Sequence, residues 1–224
     1  MEIMPIREIL RVLNLYTSLS FRDKVTILAR LAFCACPVKE VLDRYLPERG
    51  VMLDLGCGYG IFSYLMSALR PDGAFIGIDM SSHRIEVARK SIDHKKNLKF
   101  YMADVRDVRI PKCNAIMLID VLYMFPYRLQ EQLLGQCYEK LHSDGILVIK
   151  DNSKSPYWKY IYSYAEDVIK TKLGVYGRDV KQNSSCYWDS QEFLALLSKI
   201  GFHAKMIPLR SYLPYSGVLY VCQK

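Results

Sequence analysis

The stretch from Val51 to Gly60, Val-Met-Leu-Asp-Leu-Gly-Cys-Gly-Tyr-Gly, constrains this chain more than any other. An apolar run of strand character carries a carboxylate, Asp54, near its end and then breaks into glycines at 56, 58 and 60. Glycine is what a backbone uses where it must turn sharply with positive φ and leave no Cβ in a ligand's way. Residues 61–69 read as helix, so the turn aims backbone N–H groups and a helix N-terminus at whatever lies above it. That arrangement implies a site for a nucleotide-like ligand.

The rest of the middle alternates. Strand patterns at 51–55, 74–79, 98–104, 115–120 and 146–150 are separated by helical patterns at 61–69, 82–91 and 128–141. Such alternation with short turns marks a parallel sheet covered by helices on both faces. Asp54, Asp79, Asp104 and Asp120 stand at or beside strand ends. Ligands of open α/β sheets bind at the carboxyl ends of strands, so these acids are expected on one rim.

The flanks differ in character. Residues 5–16, 21–35 and 39–46 read as amphipathic helices with basic residues, which suits a cap on the core, a lid, or a contact with a membrane surface. Toward the C-terminus a helix over 159–173 follows a crowd of aromatics, Tyr157, Trp158, Tyr160, Tyr162 and Tyr164. A polar loop over 174–185, a helix over 190–200 stopped by Gly201, and two strands at 202–207 and 218–222 complete the chain.

Composition narrows the classes. At 224 residues the chain suits one ample domain. Seven cysteines, an odd number at irregular spacing with no secretory signal, point to reduced thiols in a cytosol. Cys34-Ala35-Cys36 has no second pair or histidine cluster beside it, so no metal is expected. The net charge of +8 favours an anionic partner, but it is spread along the chain without the basic block of a nucleic-acid tail. The apolar run at 31–36 is too short to cross a bilayer.

The glycine spacing separates the nucleotide binders. A dinucleotide fingerprint wants glycine at 56, 58 and 61, and residue 61 is Ile. A nucleotide-dependent oxidoreductase is therefore the weaker alternative. With Asp54 the pattern becomes acid-x-Gly-x-Gly-x-Gly, and the chain here resembles the class I S-adenosylmethionine-dependent methyltransferases through 51–150 and more loosely to the end.

The resemblance implies an α/β, Rossmann-like three-layer sandwich: a mostly parallel seven-stranded sheet with a C-terminal antiparallel hairpin and an N-terminal helical extension. It places the extension at 1–47 and the methyltransferase domain at 48–224, with a substrate cover at about 152–188. It implies S-adenosyl-L-methionine as methyl donor and S-adenosyl-L-homocysteine as product. Asp54, Gly56, Cys57 and Gly58 would form the cofactor loop, with Cys57 tolerated there rather than reactive. Asp79 would accept both ribose hydroxyls, Met80 would face the adenine ring, Asp104 would take the exocyclic amine, and the Val105 backbone would face the ring. The run Asp120–Pro126 resembles the motif where sulfonium and acceptor meet, so Asp120 is expected both to touch the cofactor and, with Tyr123 and Asp151, to serve the chemistry. His203 is a further, less favoured base.

For the acceptor, the aromatics at 157–164 and the basic amphipathic residues 1–35 favour a small or lipid-like molecule, with a peripheral contact at the inner membrane face. Nucleic acid is disfavoured. The residues at 120–123 read Asp-Val-Leu-Tyr, not the Asn-Pro-Pro-Tyr type of tetrapeptide, and no RNA-binding domain is appended. A methyltransferase acting on RNA or protein is the alternative on this branch.

Overall fold

A computed structural model describes residues 5–16, 19–31, 36–92, 95–172, 185–209 and 216–224. Helices α1 (Ile6–Leu15), α2 (Phe21–Arg30) and α3 (Cys36–Tyr45) precede the alternating region. There β1 (Gly50–Leu55), α4 (Ile61–Leu69), β2 (Gly73–Asp79), α5 (Ser82–Ile92), β3 (Leu98–Met102), β4 (Cys113–Ile119), α6 (Tyr127–Lys140) and β5 (Leu141–Asn152) follow in turn. The chain ends with α7 (Tyr157–Lys172), α8 (Ser190–Ile200), β6 (His203–Pro208) and β7 (Gly217–Gln223). The elements gather into two compact units, Met1–Val108 with Cys113–Ala115, and Arg109–Lys112 with Ile116–Lys224.

The strands form one seven-stranded sheet in the order β3-β2-β1-β4-β5-β7-β6. It is a mostly parallel α/β sheet closed by an antiparallel hairpin, as the alternation and the two late strands predict. Within the first unit the order runs outward from β1 through β2 to β3, and the glycine turn follows the carboxyl end of β1.

Register does the positioning in the first unit. β1 pairs with β2 in parallel, Leu55 opposite Ile78, which sets Gly56 level with Asp79. β2 pairs with β3, Asp79 opposite Met102, so Asp104 comes just beyond the same edge. Helix α4 is buried from Ile61 through Ser67, as a helix packed on the sheet must be. At its C-terminal end Asn97 Nδ2 reaches the carbonyls of Ser67 in the last turn, of Arg70 just past it and of Gly73 at the start of β2, at 3.0–3.1 Å.

In the second unit β7 pairs antiparallel with both β5 and β6. Helix α8 begins on the Asp189 side chain, which accepts the Gln191 N–H, and ends at Gly201 in the left-handed region, φ 118°.

Several boundaries differ from the sequence reading. The third helix starts at Cys36 rather than 39, since Pro37 fits a first helical turn, where its missing N–H has no partner to lose. β5 starts at Leu141, five residues early, because the Ser143-Asp144-Gly145 run continues the strand. Asp144 absorbs the irregularity at φ 63°. The second helix ends at Arg30, and residues 32–35 of the longer helix expected there lie outside the described residues, as do most of the 174–185 loop and part of the turn before β7.

Among the described residues no helix is long and apolar enough to cross a membrane, and no group of His, Cys, Asp and Glu could hold a metal ion. None of the six described cysteines takes part in a disulfide.

Candidate functional site

The glycine turn is built from three left-handed residues, Gly56 (φ 78°), Gly58 (φ 57°) and Gly60 (φ 76°). A side chain at any of them would be strained. Space matters as well as conformation. A Cβ on Gly60 would collide with the Phe100 ring, and one on Gly77 would lie 2.5 Å from Phe100 Cδ1 and 2.9 Å from Cys57 Sγ. The third glycine thus stands at 60 because the ring of Phe100, from β3, packs under the turn.

The turn is tied to β2. The N–H groups of Gly56 and Cys57 both donate to the Ile78 carbonyl, at 2.7 and 2.9 Å, and the Gly58 N–H donates to Asp79 Oδ2 at 2.9 Å. The other oxygen, Asp79 Oδ1, accepts the Ser81 N–H at 2.9 Å. Asp79 is buried, and its carboxylate is fixed in place by two backbone donors.

Asp54 lies below the turn and plays a different part. It is 2% exposed, and Ser63 Oγ donates to its Oδ2 at 2.5 Å. Burial pushes its pKa up to about 6 against the opposing pull of that hydrogen bond and of the Arg30 charge, and the neighbouring charge of Asp79 raises it further. Cys57 is buried, and burial raises its thiol well above the ordinary range, so it is an inert packing group.

Past β3, Val105 is buried while Met80 is well exposed. Asp104 faces its own neighbour: Arg106 Nε donates to both carboxylate oxygens at 2.9 Å, and the Arg106 N–H adds a bond to Oδ1 at 2.9 Å. The Arg106 hydrogen bond holds this carboxyl below its ordinary pKa despite partial burial.

An N-terminal helix joins the turn in the same unit. Tyr59 OH donates to Asp23 Oδ1, the Ser20 hydroxyl donates to Asp23 Oδ2 at 2.7 Å, and His83 Nε2 lies 3.1 Å from that oxygen. Burial would raise Asp23, but the hydrogen bonds from Tyr59, Ser20 and His83 together bring it below its usual value. Tyr16 OH donates to the Tyr59 carbonyl at 2.8 Å.

In the second unit Asp120 is a non-glycine residue at φ 57°, its N–H donating to the Lys150 carbonyl at 3.0 Å. The Lys150 ammonium donates to Asp120 Oδ1, and the lysine side chain is 8% exposed. Asp151, next along β5, is buried, and its Oδ1 accepts the Asn152 N–H at 2.7 Å.

Tyr123 sits in a short turn of 3-10 helix, Leu122–Met124, and stacks on Tyr187 with centroids 4.9 Å apart. The segment at 186–188 is tied there. The Cys186 N–H donates to the Tyr123 carbonyl, the buried Gln130 amide donates to the carbonyls of Phe125 and Cys186, and Gln130 Oε1 accepts the Trp188 indole N–H. Of the α7 aromatics Tyr160 turns toward this cluster, 6.0 Å edge-to-face with Tyr187, while Tyr157, Trp158, Tyr162 and Tyr164 are exposed. His203 is exposed on β6.

Sequence reasoning missed Arg106 and Lys150 as partners of the acids, and it missed Asp23 and Tyr187 altogether. Lys150 carried one signal: a lone charge at the end of an otherwise apolar strand.

Residues 47–196, more than half of the chain, match the family described as methyltransferase domain. The chain belongs to that family. A carboxy-S-adenosyl-L-methionine synthase of Campylobacter curvus is 31% identical over 115 residues, which is 51% of this chain and 49% of that protein. One from Campylobacter jejuni is 26% identical over 173 residues, 73% of each.

Among solved structures, a putative O-methyltransferase of Nostoc punctiforme superposes with a TM-score of 0.67 at 17% identity, covering 91% of this chain and 59% of that one. Human N-acetylserotonin methyltransferase, solved with S-adenosylmethionine, superposes with a TM-score of 0.64 at 17% identity over 97% of this chain and 57% of that one. These likenesses show the fold. The chain spans about half the length of the C. curvus relative and under two thirds of both solved chains.

The residues of the first unit fit an adenosine-bearing ligand. Each Asp79 oxygen uses one of its two acceptor positions on a backbone N–H, so each keeps one for a hydroxyl of a vicinal diol. Met80 offers an exposed apolar, polarisable surface one residue on.

Proposed function

We propose that this protein transfers a methyl group from S-adenosylmethionine to a small or lipid-like acceptor. The observation that carries the reading is the Asp79 carboxylate, held by Gly58 and Ser81 with one lone pair per oxygen available to a ribose. Bound S-adenosylmethionine supplies a methyl group on a sulfonium, already activated for displacement.

The protein's task is then alignment and exclusion of water. Asp79 holds the ribose, Asp104 and Val105 the adenine edge, Met80 one ring face, and Gly56 through Gly58 pass beneath the chain that follows, with Asp54 bracing the turn through Ser63. Asp120, its charge offset by Lys150, acts as a fixed polar wall beside the cofactor. Asp151 is the carboxylate that would receive the proton of an O–H acceptor, and the Tyr123 hydroxyl would serve as a hydrogen-bonding group toward the acceptor.

The aromatic wall of Tyr123, Tyr187 and Tyr160 favours an apolar or ring-bearing acceptor. Exposed Ile6, Leu10, Phe21 and Val25, near the basic Arg7, Arg11 and Lys24, favour a peripheral contact with an anionic membrane, with the protein otherwise in the cytosol.

Calorimetric titration with S-adenosylmethionine and S-adenosylhomocysteine tests the reading, and no binding of either at millimolar ligand to folded protein would defeat it. A second reading comes from the Campylobacter relatives, whose name makes carboxy-S-adenosyl-L-methionine their product. On that reading the nucleoside is itself the molecule modified. Mass spectrometry of the nucleoside product separates the two: S-adenosylhomocysteine for methyl transfer, carboxy-S-adenosyl-L-methionine for the other.

A further inference from the structure

We propose that Arg30, at the last turn of α2, is the anchor for the carboxylate of the ligand's amino-acid tail. The proposal rests on the reading of the glycine turn as an S-adenosylmethionine site. Its ground is where the guanidinium stands. A Cβ built on Gly58 would meet Arg30 Nη1 at 3.7 Å and, among the described residues other than its chain neighbours, nothing else within 4 Å. The guanidinium also lies over the Phe62 ring, 5.9 Å from its centroid, at the first turn of α4. Its charge is felt by both Asp54 and Cys57, on either side of Gly56. Arg30 therefore stands over the middle of the turn, beside the N-terminal turn of a helix whose cap, Gly60, offers no side-chain hydrogen bond.

Charge and shape favour a carboxylate there. The sulfonium of the ligand is cationic and would be repelled by a guanidinium, whereas the tail beyond it ends in a carboxylate. The planar fork of arginine matches two carboxylate oxygens at once, which an ammonium cannot do. The half-buried setting strengthens the pairing relative to open water.

The helix that carries Arg30 is fixed for this purpose. Tyr59, inside the turn, bonds to Asp23, and His83 from α5 meets the same carboxylate at 3.1 Å. Seven residues on from Asp23, two helical turns along α2, comes Arg30. Ile27 and Leu31, fully buried, hold the intervening face down. The N-terminal extension is then part of the cofactor site rather than a cap apart from it.

The bland alternative is that Arg30 only offsets the buried Asp54. Two ligands separate these ideas: S-adenosylhomocysteine, which has the carboxylate, and 5′-methylthioadenosine, which keeps the adenosine and lacks the tail. With the full chain in calorimetric titration, Arg30→Met is expected to weaken S-adenosylhomocysteine by about 10- to 100-fold, the scale of a lost charge-assisted pair. The same variant should bind 5′-methylthioadenosine within about twofold of the parent, since Asp79 and Asp104 are untouched. Arg30→Lys, which keeps the charge without the fork, should fall between parent and Arg30→Met for the first ligand only, and it covers the case in which Arg30→Met does not fold.

Equal losses for both ligands, or no loss for S-adenosylhomocysteine, overturn the proposal while leaving the methyltransferase reading standing. Failure of the parent to bind either nucleoside overturns both.

Discussion

The two units of this protein set aspartates at the ends of neighbouring strands and then treat them in opposite ways. In the first, Asp79 is held by backbone N–H groups and Asp54 by a serine hydroxyl, and Asp23, on helix α2 beside them, by a tyrosine and a serine hydroxyl. In the second, Asp120 is held by a lysine. Neutral donors fix a carboxylate without cancelling its charge, so it stays useful to a diol or a cation. An ammonium cancels it, and what remains is a fixed polar wall. A strand-ending acid therefore says where a site lies, and only its partner says what it does there. Asp104, paired with Arg106 in the first unit, is the exception that tests the rule from one side, and Asp151, held by the Asn152 N–H in the second, tests it from the other.

The largest expected effect would break the comparison at Asp120. Lys150→Met leaves a largely buried carboxylate without its cation and should destabilise the protein by about 3–5 kcal/mol in urea unfolding. The double variant Lys150→Met/Asp120→Asn should recover most of that. A single-variant loss below about 1 kcal/mol would mean the pair is not the structural charge proposed.

Next comes Asp54, whose pKa is raised to about 6. A raised carboxyl pKa means the folded state binds the proton more tightly, so this group's contribution to stability is greatest below its unfolded value near 3.8 and is lost as pH rises through about 6. At 1.36 kcal/mol per unit the span is roughly 3 kcal/mol. Asp54→Asn should therefore gain on the parent by about that amount between pH 4 and pH 7, read as the difference of their unfolding free energies. Parallel curves would show that Asp54 does not titrate in that window.

Asp79→Ala sharpens the comparison from the ligand's side. It removes the acceptor for the ribose and the partner of the Gly58 N–H, and it should weaken S-adenosylhomocysteine by about 1–3 kcal/mol in calorimetric titration. Binding unchanged from the parent would remove the diol role.

The smallest effect belongs to the exception. The Asp104–Arg106 pair is partly exposed, worth no more than about 1 kcal/mol. Arg106→Ala should leave the melting temperature almost unmoved and raise affinity for adenosine-bearing ligands a few-fold, by freeing the Asp104 oxygens for an exocyclic amine. Weaker binding in that variant would show that Arg106 belongs to the adenine site itself.

Much of the frame was legible in the residues. Helix α4 and helix α8 fall where their apolar periodicity and glycine signals put them, and β1, β2, β6 and β7 came within a residue at each end. The beginning of β5 did not, because a Ser-Asp-Gly run reads locally as a turn although the strand runs through it from Leu141. The aromatic crowd at 157–164 was visible, but not which ring faces in: helical spacing allows several faces, and the contact with Tyr187 selects Tyr160.

By itself the sequence determined the alternating α/β frame, the glycine turn and the placing of acids beside it, since period, turn chemistry and strand length are properties of adjacent residues. Arg106 stands two residues from Asp104, but the distant partners of the acids were decided only by the tertiary structure. Tyr59 and Asp23 are 36 residues apart, and Lys150 and Asp120 are 30. Nothing local in a chain records which charge a fold will bring opposite another, because that depends on strand register and on how each helix is laid against the sheet.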